Sequence, residues 1–250
     1  MMCAITQPTY LPWAGGFDLM DHVDVFAHYD DVQIVKRTWD VRNRIRTASG
    51  ELYLTIPIKK TRSRDETVFN NAVIDDSRPW RREHLDALVR SYRKARFFEE
   101  VFAFVEPLIT ADLSLLADFN INCITAIARK LGIQTSAVRV SSLPESSGKK
   151  DARLVGICRT LAADTYLSPL GAHEYIEQHN TGGAFEGSGI RLVYQHYVPV
   201  SYTQLHGEFR SHMCILDLLF NEGFDSSLRI IRAGRRPMLT SSDLRRGPAL

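Results

Sequence analysis

Between residues 137 and 197 the chain alternates between two hydrophobic periods, and that alternation limits the fold more than any motif does. Residues 137–140 are a short β-rich run, 151–161 carry helical spacing, 163–167 are strand-like, 171–179 helical and 191–197 strand-like again. Strands separated by helices of this length predict parallel pairing through crossovers, because a tight hairpin can join only antiparallel strands. The β-rich signature also appears at residues 3–6, 24–29 and 52–58. A helix is expected after Asp75, Asp76 and Ser77, with Pro79 preset for its first turn and Leu85, Leu88, Val89 and Tyr92 on one face. A second helix is expected over residues 110–131, turning Leu113, Leu116, Ile121, Ile124 and Ile127 inward and stopping at Gly132. The predicted fold is α/β: a Rossmann-like, mostly parallel sheet flanked by helices, with a basic strand/loop and helical insertion in the N-terminal half.

One such domain is expected over residues 1–231. Residues 232–250 hold Arg232, Arg235, Arg236, Arg245 and Arg246 against a single acid, Asp243, and read as a flexible basic tail. A chain of 250 residues with 44% hydrophobic and 24% charged content can bury a core without disulfides or metal. Cys3, Cys123, Cys158 and Cys214 are far apart, lie in apolar patterns and form no CxxC pair, so they read as reduced thiols of a cytoplasmic protein. No apolar run reaches the length of a membrane span, and the first residues enter a strand without a basic leader.

Chemistry-bearing residues concentrate between Gln7 and Arg44. Gln7 and Pro8 follow the first strand, where an open parallel sheet binds ligands. Tyr10 and Trp13 supply flat faces for a sugar or base, or else cap the core, and Gly15 and Gly16 allow close approach. Asp30 and Asp31 follow an apolar run; successive strand residues face opposite sides, so one is a ligand or base and the other an anchor. The competing reading is a helix-like cap or an internal ion pair to Arg37 or Arg42. Residues 36–64 carry nine basic residues against Asp40 and Glu51, a net of +7. Within them Lys36, Arg37, Trp39, Arg42, Asn43 and Arg44 combine guanidinium forks with a stacking surface, suited to a diphosphate, a phosphopantetheine or an RNA backbone. Lys59 to Arg64 read as a solvated face.

Several of these stretches, QPTYLPWAGGFD, YDDVQIVKRTW, RNRI and LTIP, followed by YLSPLGAHEYI, QLHGEF and ILDLLFNEG, resemble the WbqC family of bacterial proteins over roughly residues 3–223. The resemblance implies a setting in surface-polysaccharide and O-antigen gene clusters, and modification of amino sugars, for example by glycine or another acyl group. Members commonly have Asn two residues after the tryptophan; Val41 stands there in this chain, beside Asp40.

In the C-terminal half, Ser168 ends a strand and Gly171 opens a helix, a geometry for meeting an anion or an ordinary strand exit. His206 and Glu208 are candidate proton carriers in QLHGEF, and Asp217 and Asn221 share a helix face. GxGxxG, HxGH, GxSxG, GxxxxGK[ST] and HExxH patterns are absent, and no metal-ligand set has a standard spacing. The resulting expectation is a transferase placing an acyl or aminoacyl group on the amine of an amino sugar or sugar nucleotide. Asp30, Asp31 and His206 would handle protons; Gln7, Tyr10, Trp13, Lys36, Arg37, Trp39, Arg42, Asn43, Arg44 and Ser168 would bind substrate. No cofactor is identified; the donor is an acyl carrier protein, coenzyme A or an aminoacyl-tRNA. The alternative is a non-catalytic nucleotide-sugar-binding or accessory protein.

Overall fold

In a computed structural model, which describes residues 1–34, 38–60, 67–144 and 148–246, these described residues supply seven strands. In chain order they are β1 (Met2–Thr6), β2 (Val25–His28), β3 (Arg42–Thr47), β4 (Gly50–Thr55), β5 (Ser136–Arg139), β6 (Thr165–Ser168) and β7 (Arg191–Tyr194). The helices are α1 (Ala14–Asp21), α2 (Trp80–Tyr92), α3 (Phe98–Ile109), α4 (Leu116–Leu131), α5 (Asp151–Thr160), α6 (His173–Ile176), α7 (Ile215–Ala233) and α8 (Ser241–Arg245). Five strands form one sheet in the order β5-β2-β1-β6-β7, every pair parallel. This is the mixed α/β, mostly parallel architecture that the periodicity predicts. The chain first steps away from β1 on one side, then returns to β6 on the other. That reversal opens a crevice at the carboxyl ends of β1 and β6.

Side chains alternate across the sheet. Ala4 and Phe26 pack into one cluster with Phe17 and Leu19 of α1, Ile124 and Ile127 of α4 and Leu218 of α7. Cys3, Ile5, Ala27 and Tyr166 pack with Leu154, Val155 and Cys158 of α5 on the opposite face. Between β2 and β5 lies the insertion: an antiparallel hairpin, β3-β4, then α2, α3 and α4.

Several boundaries differ from expectation. The helix expected over 110–131 begins at Leu116, because Leu115 bridges Val73 in extended form; it ends at Gly132, whose φ of 87° closes a left-handed cap. The 52–58 run supplies most of β4, one strand of a hairpin whose other strand, β3, carries Arg42, Arg44 and Arg46 of the basic segment. Residues 171–179 yield one 3-10 turn and a four-residue helix. In α3, Val101, Val105 and Ile109 bury one stripe despite Pro107. The backbone of α7 breaks at Gly223 (φ 72°), where a Cβ would strike the Phe97 ring.

Residues 232–246 are not a detached tail. Arg232 forks onto both oxygens of Asp21 at 2.7 and 2.8 Å, and Arg235 reaches Asp18 at 2.8 Å and Asp21 at 2.7 Å. Acids of α1 thus neutralise the arginines, Leu239 bridges Tyr194, and Thr240 and Asp243 form a capping box on α8. All four cysteines are buried and free, with Cys3 and Cys158 sulfurs 3.6 Å apart. Among the described residues no helix is long and apolar enough to cross a membrane.

Two buried histidines make stability depend on pH. His28 is 1% exposed and neither ring nitrogen has a hydrogen-bond partner among the described residues, while His84 nitrogen Nδ1 lies 3.0 Å from the Tyr10 hydroxyl. Burial pushes each imidazole down to about 4 from an ordinary 6.5. Between those values the unfolded chain binds more protons, so stability is full above 6.5 and declines as pH falls toward 4. Urea unfolding of His28→Gln should show a flatter pH dependence than the parent across this window; equal slopes would contradict the assignment.

Candidate functional site

Two clefts meet over the carboxyl end of β1. One, of about 1100 Å³, is bordered by Tyr29, Asp31, Lys149, Lys150, Arg153, Tyr166 and Tyr175. The other, of about 600 Å³, is bordered by Trp13, Trp39, Asn43, Arg44, Gln195, Tyr197 and His212. Thr6, Gln7, Thr9 and Pro169 line both, so the basic and aromatic clefts share one rim.

Local sequence explains the rim. After Gln7 the chain turns through Leu11, held at φ 44°. Asn43 donates to the carbonyls of Tyr10 and Leu11 at 3.0 and 2.8 Å. Asn120 donates to those of Pro8 and Asp40 at 2.6 and 2.8 Å. Two buried amides from the insertion therefore clamp a loop whose carbonyls have no strand to pair with. Gly15 is required because a Cβ there would overlap the Trp13 indole, which lies across the first turn of α1.

In the basic cleft, Asp31 pairs with Arg153 through Oδ2, and the Arg153 guanidinium stands 5.1 Å from the Tyr29 ring centroid. The other oxygen, Oδ1, is buried without a hydrogen-bond partner among the described residues. Asp30 has the opposite environment. It is fully buried and accepts from Arg139 Nε at 2.8 Å and from the Ser141 amide and hydroxyl at 2.9 and 2.7 Å. Burial alone would raise its carboxyl, but the Ser141 and Arg139 hydrogen bonds outweigh it and hold the group below the ordinary range.

In the aromatic cleft, Trp13 packs against His212 (centroids 4.4 Å) and Tyr197 (5.3 Å). Arg44 donates to Glu51 at 2.9 Å and to the His212 carbonyl at 3.2 Å. His212 sits at φ 61°, with Nδ1 2.8 Å from Ser211 Oγ, and Nε2 has no partner among the described residues. Partial burial, then the nearby Arg44 charge, lower its pKa, so the imidazole is neutral at pH 7. A strained residue presenting an open ring nitrogen to a cleft is a functional signal. Gln195 donates to Gly15 carbonyl at 2.9 Å and Asp18 at 2.8 Å, fixing β7 against α1.

The expected residues separate accordingly. Gln7, Trp13, Trp39, Asn43 and Arg44 converge on the aromatic cleft, and Asp31 faces the basic one. Asp30 is corrected from proton carrier to anchor, since every oxygen is engaged inside the protein. Tyr10 is corrected from ligand contact to core: it is fully buried beneath the rim loop. His206 lines neither cleft; its Nε2 meets the Ser91 carbonyl at 2.8 Å. Its loop is tied to α7 by Gln204 donating to buried Asp217 at 2.8 Å and the Leu205 amide to Asn221 at 3.0 Å. Ser168 is buried, with its hydroxyl 3.2 Å from the Pro169 carbonyl, and the four-residue α6 offers no useful helix end for an anion. Arg42 lies on the hairpin's outer face, 4.7 Å from the Tyr53 centroid. Lys36 and Arg37 lie outside the described residues. Sequence reasoning missed Lys149, Lys150, Arg153, His212 and Gln195; a Gly-Lys-Lys run opening α5 was the available signal for the first three.

Comparison with known proteins adds to this geometry. The chain is 35% identical over 228 residues to the Mycobacterium tuberculosis (strain ATCC 25618 / H37Rv) protein named "Uncharacterized protein Rv1507c", covering 89% of this chain and 94% of that one. No solved structure matches. A model of the WbqC-like protein family matches residues 7–228, which include the rim loop, both walls of the aromatic cleft and the Asp31–Arg153 pair. The chain belongs to the WbqC-like protein family.

Proposed function

We propose that this protein is a biosynthetic transferase that places an acyl or aminoacyl group, such as glycyl, on the amine of an amino sugar or sugar nucleotide in surface-polysaccharide synthesis. The observation that carries this reading is the shared rim: two clefts of different chemistry open onto Thr6, Gln7 and Thr9. A reaction between two substrates needs such adjacency, because holding both replaces a bimolecular encounter. Lys149, Lys150 and Arg153 suit the phosphates of a nucleotide sugar. Its amine would lie near the Asp31 carboxylate, which lines this cleft. The donor's acyl end would enter from the aromatic cleft. The amine nitrogen then bonds to the acyl carbon, the thioester or ester bond breaks, Asp31 takes the amine proton, and the leaving thiolate or alkoxide is protonated from solvent.

The test is thermal unfolding against nucleotide sugars, amino sugars, coenzyme A esters, ATP and total tRNA, with transfer followed by mass spectrometry. A ligand at about a hundred times its dissociation constant stabilises by about 2.7 kcal/mol, a shift of roughly several degrees. A nucleotide amino sugar should shift the midpoint and gain the mass of the acyl group. No shift with any nucleotide sugar would remove the reading.

A further inference from the structure

The outer face of the β3-β4 hairpin carries aromatic rings that the core does not use. Antiparallel register pairs Arg44 with Tyr53 and Arg42 with Thr55, so these side chains share one face. Trp39 is 47% and Tyr53 43% exposed, among the largest exposures of any apolar side chain in the protein. Their rings lie 6.3 Å apart at 26°, a stacked pair open to solvent. The Arg42 guanidinium covers Tyr53 at 4.7 Å yet makes no ion pair with any described residue. Arg44, 5.8 Å from the Trp39 centroid, is instead neutralised by Glu51.

Exposed rings beside a guanidinium fork that no described residue neutralises match a specific ligand chemistry. A nucleobase stacks on an aromatic face, and a phosphate takes the two parallel N–H groups of an arginine. An apolar protein partner would leave Arg42 buried without a counter-charge. The surface is also continuous with the candidate site, since Trp39 and Arg44 line the aromatic cleft.

We propose that Trp39, Tyr53 and Arg42 form a subsite for a nucleoside phosphate, the handle of the acyl donor. The base stacks on the Trp39–Tyr53 pair and the phosphate meets Arg42, leaving the acyl end free to extend along Trp39 into the aromatic cleft. Naming the handle as the donor's rests on the transferase reading; the subsite itself does not. Adenosine bearing phosphate is common to coenzyme A and to the 3′ end of an aminoacyl-tRNA, so both sources share this chemistry.

Calorimetric titration with adenosine 3′,5′-bisphosphate, coenzyme A and a short RNA ending in CCA tests it. Wild type should bind at least one probe, and the preferred probe names the source. Trp39→Ala and Tyr53→Ala should each weaken binding by roughly tenfold or more. Arg42→Gln should also lower the slope of log affinity against log salt for the RNA by about 0.7, and Arg42→Lys should restore that slope without restoring full affinity. Because these side chains are peripheral, unfolding midpoints should stay unchanged. Wild type that binds no probe, or folded variants that bind as wild type does, would overturn the subsite. Binding that the variants lose, with no transfer to any amine, leaves the subsite standing and removes the transferase reading. Transfer undiminished in Trp39→Ala and Tyr53→Ala does the reverse.

Discussion

Asp31→Asn is expected to lower turnover by at least about a hundredfold while leaving ligand affinity within about tenfold, as for loss of a positioned proton acceptor. Asparagine is nearly isosteric and can still accept from Arg153, so the wall of the basic cleft should persist. What it cannot do is take a proton from an amine held in that cleft, which the Asp31 carboxylate lines. The measurement is the transfer rate at saturating substrate beside a titration of the nucleotide sugar. Turnover equal to wild type would exclude Asp31 from proton transfer, whereas equal losses in rate and affinity would assign it to binding.

The adjacent carboxylate should behave oppositely. Asp30→Ala is expected to destabilise the fold by about 3 kcal/mol, the low end for removing one partner of a buried ion pair, because Arg139 keeps Asp118 and is a third exposed. The variant also strands the Ser141 amide and hydroxyl. Urea midpoints at pH 7 give this directly. Since the folded Asp30 carboxyl lies below its ordinary 3.8, its contribution is complete above that value and is lost as pH falls through the lower folded value. The parent should therefore lose stability more steeply than Asp30→Ala at the acid end. A change under about 0.5 kcal/mol, the level of an ordinary surface substitution, would show that Asp30 is not an anchor.

How much of this was legible depends on how local each signal is. The alternation of periods over residues 137–197 resolves into β5, α5, β6 and β7 with boundaries moved by a few residues, because side-chain period is set by neighbours in the chain. Gly132 ends α4 where expected, since a left-handed cap depends on one residue. The 232–246 segment was misread because its arginines look unpaired until Asp18 and Asp21, more than 200 positions away, are brought beside them. Tyr10 sits in a motif that looks exposed, but its ring fills the core under a loop that Asn43 and Asn120 hold down.

The acidic pair divides the two kinds of information most clearly. Both residues lie beyond β2, which ends at His28, so strand alternation does not assign their surroundings; what the sequence determined is the parallel sheet, its helical crossovers and the family motifs. Which carboxylate is the anchor was decided only by tertiary structure. Asp30 meets Arg139 and Ser141, 109 and 111 residues on, and Asp31 meets Arg153, 122 residues on. His212 becomes part of a cleft only by reaching Trp13, and Lys149 and Lys150 only because α5 packs beneath β1. Periodicity is a property of adjacent residues, whereas a hydrogen-bond partner or cleft wall exists only once distant segments are packed together.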